Sequence, residues 1–185
     1  MKKLTYVTSN KDKVRVANKY LIPLGIEVVG ESMELVEFQT DSIEEITKDK
    51  ARQAFEALKK PLLVNDASWN FVALNGFPGA YMKYINKWLS PNDFVSLMKN
   101  HEDKAVIYKE VMYYIDEKQT KAFSEEIKGT FLGEEKGKGL PSWTLISLRT
   151  DKKSIAQCWE DEIEPVDEYP IWRDFSDWFT KQNSQ

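Results

Sequence analysis

The stretch that most constrains the fold of this chain runs from Pro61 to Lys83 and reads PLLVNDASWNFVALNGFPGAYMK. Its apolar run Leu62 to Val64, bounded by Pro and Asn, predicts a buried strand, because a strand covered on both faces needs no polar alternation. We expect the strand to end just before Asp66, at the edge where α/β sheets bind their ligands. The pairs Asn75-Gly76 and Pro78-Gly79 predict tight turns that bring bare backbone close to that ligand. A solvated aspartate after an ordinary strand is the alternative interpretation.

Composition limits the classes of protein to consider. The 185 residues predict one domain, residues 1–185, and 42% hydrophobic residues suffice for a core. The net charge of −4 argues against nonspecific binding of nucleic acid, which needs a basic face. One cysteine, Cys158, and one histidine, His101, exclude a disulfide framework and a cysteine- or histidine-rich metal site. No apolar run is long enough to cross a bilayer, and the N-terminus lacks a signal-peptide core, so we expect a cytoplasmic protein without a membrane partner.

The N-terminal segment predicts a strand–helix–strand unit. Leu4 to Val7 and Ile26 to Val29 are short β-type runs, and Val14, Ala17 and Leu21 recur at helical spacing between them. A parallel strand pair joined by a helix is typical of the α/β class.

The polar turn between the first strand and the first helix is a candidate phosphate site. Thr8, Ser9 and Asn10 offer hydroxyl, amide and backbone donors at a helix N-terminus, which favours anions. Lys11 and Lys13 lie in the first helical turn, where cations oppose the helix dipole unless an anion binds there. A solvated lysine pair is the alternative.

A second acidic segment precedes a second helix. Val36 to Asp41 is loop-like and contains Glu37, and Ser42 begins a helix with the capping signal Ser-x-x-Glu. Lys50 falls on the apolar stripe of that helix. Its ammonium group therefore either extends outward to solvent or meets an anion.

The remaining elements are predicted from periodicity and start signals. Ser90 and Pro91 are typical of a helix start, and the aromatic stripe near the C-terminus predicts a core helix. The predicted helices are Tyr81 to Ile85, Ser90 to Leu97 and Trp172 to Thr180, and the predicted strands are Ala105 to Ile115, Ala122 to Leu132 and Trp143 to Leu148.

Three blocks in order carry a family resemblance. VTSNKDK at Val7 to Lys13 is similar to a T-G-N-x-x-K phosphate loop, and LVEFQTDSIEEI at Leu35 to Ile46 is similar to an acidic loop with its helix. LVNDASWNFVALNGFPGAYMKY at Leu63 to Tyr84 resembles the block D-[ST]-x-L-x-x-x-A-L-x-G-x-P-G, with Ala67 and Trp69 as departures. Together, over the first half of the chain, the blocks resemble the inosine triphosphate pyrophosphatase family.

The resemblance implies an α/β fold with a long mixed central sheet, flanking helices and two lobes around a cleft, commonly as a homodimer. It also implies cleavage of a nucleoside triphosphate to monophosphate and pyrophosphate with Mg²⁺. Carried over by position, Glu37 and Asp66 bind the metal, and Asp66 and Lys13 are the catalytic residues. Mg²⁺ prefers such hard oxygen ligands. The candidate substrate-binding residues are Thr8, Ser9, Asn10, Lys13, Lys50, Ser68, Lys83, Trp143, Trp172 and Arg173.

The second half departs from the family pattern. Gly139 to Thr144 reads GLPSWT and lacks the acidic residue of the base-reading segment. Tyr169 to Arg173 reads YPIWR and keeps only Arg173 of a serine-histidine-arginine triplet. Because these groups hydrogen-bond the purine in the family, we expect altered base selectivity. Trp143 or Trp172 stacks on the base, or both are core aromatics.

Two other functions stay open at this point. A catalytically degenerate relative would bind nucleotide without hydrolysing it, which the altered C-terminal residues favour. A structural interaction protein would do neither, and the acidic residues at 160–164 are its only support.

Overall fold

This computed structural model describes residues 1–182, which contain seven strands, seven α-helices and two short 3₁₀ helices joined by loops. The strands are β1 Lys2–Val7, β2 Ile26–Glu31, β3 Leu62–Phe71, β4 Pro78–Gly79, β5 Ala105–Ile115, β6 Thr120–Phe131 and β7 Ile146–Ser147. The helices are α1 Lys11–Leu21, α2 Ile43–Leu58, α3 Met82–Trp88, α4 Pro91–Met98, α5 Pro141–Leu145, α6 Ile155–Glu160 and α7 Pro170–Gln182.

All seven strands belong to one sheet, in the order β2-β1-β3-β5-β6-β7, with β4 paired to β3. β1 is parallel to β2 and to β3, whereas the β3–β4 and β6–β7 pairs are antiparallel. The sheet is therefore mixed, which confirms the predicted α/β class with a mixed central sheet.

The chain divides into two compact units. Unit 1 comprises Met1–Asp66, Glu110–Glu125 and the chain from Tyr169 onward, and unit 2 comprises Ala67–Lys109 and Glu126–Glu168. Strands β3, β5 and β6 each contribute residues to both units. The single domain 1–185 and the cleft stay predictions.

The predicted strand–helix–strand opening of unit 1 is confirmed. β1 and β2 pair in parallel from Lys2↔Ile26 to Val7↔Glu31, with α1 as the crossover. A short 3₁₀ turn follows α1 and ends at Gly25, whose φ of 77° is a conformation that glycine adopts without strain. The crossover brings the carboxyl end of β1 directly to the N-terminus of α1.

Helices cover both faces of β3 in unit 1. Leu63 packs with Tyr6 and with residues of α1 and α7 in one apolar cluster. Leu62 and Val64 pack with Ala51 and other residues of α2 in a second cluster. Neighbouring residues of a strand point to opposite faces, so this two-sided cover explains the uninterrupted apolar run.

The predicted end of the third strand is wrong. β3 does not stop after Val64 but continues to Phe71, so Asp66 is its fifth residue. The polar residues past Val64 pair with neighbouring strands, and composition alone does not reveal such pairing. β1, however, ends at Val7, and the register Thr5↔Leu62 carries β3 past that end. Asp66 therefore still lies at the carboxyl edge of β1.

A second correction falls in unit 2. The predicted strand Trp143 to Leu148 is instead helix α5 followed by the two-residue strand β7. Pro141 occupies the first helical position, where its fixed φ favours a helix start, and a short apolar run fits either structure. Helix α6, which the sequence analysis missed, begins with a capping box between Ser154 and Gln157.

The other predicted elements are confirmed in type, with small shifts at their ends. Unit 2 has its own apolar core. In it, the ring centroid of Phe71 lies 6.2 Å from that of Phe94 and 5.8 Å from that of Phe131. Within residues 1–182, no helix combines the length and the apolar character needed to span a membrane.

Candidate functional site

Lys50 joins the two carboxylates that the sequence analysis singled out. Its Nζ lies 2.7 Å from Oε1 of Glu37 and 2.5 Å from Oδ2 of Asp66. The lysine side chain is only 14% exposed. Of the two alternatives for Lys50, the structure therefore shows the contact with anions. Burial works to lower the pKa of Lys50, but the charges and hydrogen bonds of Asp66 and Glu37 outweigh it and raise that pKa.

A glutamine on α2 holds the loop that contains Glu37. The side-chain amide of Gln53 accepts from the backbone N of Val36 at 3.0 Å and donates to its carbonyl at 2.8 Å. Gln53 lies one helical turn after Lys50, so the helix that supplies the lysine also fixes the backbone beside Glu37. The sequence analysis missed Gln53, because a polar residue on a helix gives no local sign of the loop it contacts.

The donor set fits a hard divalent cation. Glu37 and Asp66 both reach the ammonium of Lys50, so they lie close together, and both side chains are partly exposed. No group of three or more His, Cys, Asp or Glu side chains within residues 1–182 is placed to hold a metal ion. Mg²⁺ is usually bound through one or two carboxylates and completes its shell with water and phosphate oxygens. Two convergent carboxylates meet that requirement.

The turn between β1 and α1 is organised around Asn10. Its side-chain oxygen accepts from the backbone N of Asp12 at 2.9 Å and of Lys13 at 3.4 Å, which caps α1. The hydroxyl of Thr8 accepts from the backbone N of Asn10 at 3.1 Å, and Ser9 is exposed. The turn is thus preformed by its own hydrogen bonds.

Lys13 is not a freely solvated lysine. Its Nζ donates to Oδ1 of Asn65 at 2.9 Å, and Asn65 directly precedes Asp66 in β3. Lys13 on α1 and Lys50 on α2 therefore contact consecutive residues of one strand from its two faces. This places the predicted phosphate lysines and the two carboxylates within unit 1.

Behind Asn65 lie two buried acids that the sequence analysis did not identify. The Nδ2 of Asn65 donates to Oε1 of Glu110 on β5, and Oε2 of Glu125 on β6 accepts from the backbone N of Ile171 at 2.8 Å. A sequence signal for Glu110 existed, since it alternates with the buried Met112 and Tyr114 on one face of its strand. A charge at such a position indicates a special role.

Glu125→Gln is expected to change how stability depends on pH. Burial raises the pKa of Glu125 from 4.5 to about 8, and the charges of Glu110 and Asp174 act in the same direction. The hydrogen bond from the backbone N of Ile171 opposes this shift but does not outweigh it. Because the folded-state pKa exceeds the unfolded one, the native state binds more protons between these values, and stability falls as pH rises through that window. Glutamine does not titrate, so the variant should gain about 1–3 kcal/mol over the wild type between pH 5 and pH 8.

Urea unfolding at several pH values measures this difference. The matched control is Glu117→Gln, at an exposed glutamate of the β5–β6 turn. The free energy of unfolding of this control should depend on pH as that of the wild type does. The same pH dependence of the free energy of unfolding in Glu125→Gln and the wild type would contradict the prediction.

The other predicted site residues lie in different surroundings. Ser68 is buried in β3, Lys83 is exposed on α3 and Trp143 is half-buried on α5 beside Trp159, all in unit 2. Trp172 is only 2% exposed and belongs to the apolar core of unit 1, which fits the core alternative. Arg173, next to it on α7, is exposed and has the carboxylate of Asp174 at 3.9 Å.

Comparison with known proteins gives consistent matches. A family model described as the Ham1 family matches residues 4–165. A dITP/XTP pyrophosphatase of Thermococcus kodakarensis is 31% identical over 137 residues, 74% of this chain and 74% of that protein. An inosine triphosphate pyrophosphatase of Tuber melanosporum is 41% identical over 102 residues, 55% of each chain.

Solved structures agree on the fold. The Staphylococcus aureus Ham1 protein superposes with a TM-score of 0.75 at 19% identity, covering 98% of this chain and 100% of that one. A HAM1 protein from Coxiella burnetii gives a TM-score of 0.78 at 16% identity, with the same coverage. At these identities the likeness establishes the architecture alone.

Proposed function

Because the chain belongs to the Ham1 family, we propose that it is a Mg²⁺-dependent pyrophosphatase of non-standard purine nucleoside triphosphates. The names of its relatives, dITP/XTP and inosine triphosphate pyrophosphatases, supply the substrate class. The observation that carries the proposal is the convergence of Glu37 and Asp66 on Lys50. The products are the nucleoside monophosphate and pyrophosphate. A homodimer and a cytoplasmic location stay predictions.

The chain's own groups divide the work of binding a polyanion and activating water. Lys13 and Lys50 donate to phosphate oxygens and offset their charge, and Thr8 and the exposed Ser9 add neutral donors at the turn. Glu37 and Asp66 would hold Mg²⁺. When bound, the cation offsets charge on the triphosphate and on the leaving pyrophosphate.

Asp66 orients the attacking water and accepts its proton. The water oxygen bonds to the α-phosphorus as the bond to the leaving pyrophosphate breaks. Lys50 holds the two carboxylates close together, because its ammonium lies between them. No protein nucleophile takes part.

Base selectivity is proposed to differ from that of the relatives. The segment 139–144 lacks the acidic residue of the family pattern, and Trp172 occupies the position of the family's histidine. Because Trp172 is a core residue, it offers almost no ring surface to a base. Trp143, the other tryptophan considered for stacking, is half-buried and keeps part of its surface exposed.

A turnover assay over a panel of triphosphates tests the proposal. Released pyrophosphate is converted to phosphate by added inorganic pyrophosphatase, with Mg²⁺ and with ITP, dITP, XTP and the standard triphosphates. We expect turnover of the deaminated triphosphates, with a smaller preference over ATP and GTP than the Thermococcus enzyme shows in parallel. Absence of turnover at high enzyme concentration would overturn the catalytic claim. Thermal stabilisation by a nonhydrolysable triphosphate would then indicate a nucleotide-binding protein without catalysis.

A further inference from the structure

A row of polar side chains leads from Lys13 into the interior of unit 1, and the proposed chemistry does not use its far end. Lys13 donates to Asn65 at 2.9 Å, and Asn65 donates in turn to Glu110. Glu125 lies beside Glu110 and accepts from the backbone N of Ile171 at 2.8 Å. Ile171 is the second residue of α7, where backbone N–H groups have no partner within the helix.

The interior end of this row is closed to water. Asn65 is 8%, Glu110 4% and Glu125 7% exposed. Two adjacent buried carboxyl groups do not both ionise readily, because neither charge is solvated and the two repel. Within residues 1–182, Oε1 of Glu125 has no hydrogen-bond partner. A proton on Glu125 removes one of the two buried charges. It also makes the carboxyl group of Glu125 a hydrogen-bond donor toward Glu110.

Glu110 determines which way the amide of Asn65 faces. A carboxylate only accepts hydrogen bonds, so the Nδ2 of Asn65 must face Glu110. The carbonyl Oδ1 then faces the ammonium of Lys13, which only donates. The opposite orientation would set donor against donor at Lys13 and acceptor against acceptor at Glu110. The position of the ammonium is thus coupled to a residue that contacts no substrate.

We propose that Glu110 is a positioning residue, which acts through Asn65 to hold the Lys13 ammonium where it receives the triphosphate. This inference rests on the proposed function of Lys13. Glu125 lies beside Glu110 and connects this row of side chains to the start of α7 through its hydrogen bond from Ile171. Loss of the acceptor at residue 110 should therefore weaken triphosphate binding and leave the chemical step unchanged.

Steady-state kinetics of Glu110→Ala and Glu110→Gln test the proposal. Glu110→Ala is expected to raise KM for the triphosphate about five- to tenfold, the effect of one lost hydrogen bond to a charged network, with kcat within twofold. Glu110→Gln retains an acceptor oxygen and should restore KM to within about twofold of the wild type. Asn65→Ala breaks the row at another residue and should raise KM like Glu110→Ala. An unchanged KM in both alanine variants would overturn the proposal.

A double-mutant cycle separates positioning from general loss of structure. In the Lys13→Ala background, Glu110→Ala should change triphosphate affinity by less than twofold, because its effect acts through the missing lysine. Isothermal titration with a nonhydrolysable triphosphate measures this even where turnover is too slow. Full additivity of the two substitutions would show that Glu110 acts on structure alone and would overturn the inference.

The NMR signals of the Asn65 side-chain NH₂ give a readout that needs no substrate. In the wild type these protons should exchange slowly with water, and Glu110→Ala should make them exchange at least about tenfold faster, whereas Glu110→Gln should not. An unchanged exchange rate of the Asn65 side-chain protons in Glu110→Ala would overturn the inference. A wild type with protected Asn65 protons that neither binds nor hydrolyses a triphosphate would instead refute the proposed function.

Discussion

Asp66→Asn is expected to lower turnover by a factor on the order of 10²–10⁴ while the protein stays folded. The amide cannot accept the proton of the attacking water and is a poorer ligand for Mg²⁺ than a carboxylate. The fold should tolerate the change, because the amide oxygen still accepts from Lys50 and Glu37 remains as the counterion of that lysine. The pyrophosphatase-coupled assay measures the rate, and thermal unfolding measures stability.

Asp41→Asn is the matched control for this substitution. Asp41 is an exposed aspartate just before α2, so the same change from carboxylate to amide should leave turnover within about twofold of the wild type, as is usual for surface positions. Turnover of Asp66→Asn close to that of the wild type, in a folded protein, would show that Asp66 neither orients water nor binds the metal.

Trp172→Ala is expected to destabilise the protein by about 3–5 kcal/mol, the usual cost of removing a buried aromatic ring. The indole is packed edge-on against Tyr6 at 5.7 Å and Phe175 at 6.2 Å between ring centroids. Both neighbours are fully buried, so the surroundings have little room to collapse into the cavity. Urea unfolding of purified protein measures the loss, which should lower the midpoint without changing the slope.

Trp88→Ala and Trp172→Phe complete this test. Trp88 is 68% exposed on α3, so its removal should change stability by less than about 0.5 kcal/mol. Trp172→Phe keeps an aromatic ring in the core and should cost about 1–2 kcal/mol with KM unchanged. A raised KM with unaltered stability in Trp172→Phe would instead assign the indole to substrate binding.

The first half of the fold could be predicted because its signals are local. The apolar spacing of α1, the Gly25 turn and the Ser42 cap each depend on neighbouring residues, and the strand–helix–strand unit follows from their order. Lys50 is a charged residue at an apolar position of its helix, and in the structure its ammonium forms ion pairs with Glu37 and Asp66. A local inconsistency thus pointed to the site.

The features that could not be predicted depend on distant pairing. The continuation of β3 beyond Val64 follows from its partners β4 and β5, which lie later in the chain. The short helix α5 and a short strand share the same apolar pattern, and only Pro141 favours the helix.

Part of the site was also invisible in sequence. Glu37 and Asp66 were expected to converge because the family resemblance joins their blocks. Asn65 and Gln53 have no such motif, and each acquires its role from a partner on another element. Polar residues of this kind are recognised only when their hydrogen-bond partners are known.

The alternation along β3 has a consequence for how this chain can change over evolutionary time. Lys13 and Lys50 contact Asn65 and Asp66, which are adjacent in sequence but project to opposite sides of the sheet. Inserting one residue before position 65 would present Asn65 to Lys50 and Val64 to Lys13, whereas deleting one would present Asp66 to Lys13 and Ala67 to Lys50. Side chains here can be replaced one at a time, whereas the number of residues between the start of β3 and Asp66 cannot vary by one.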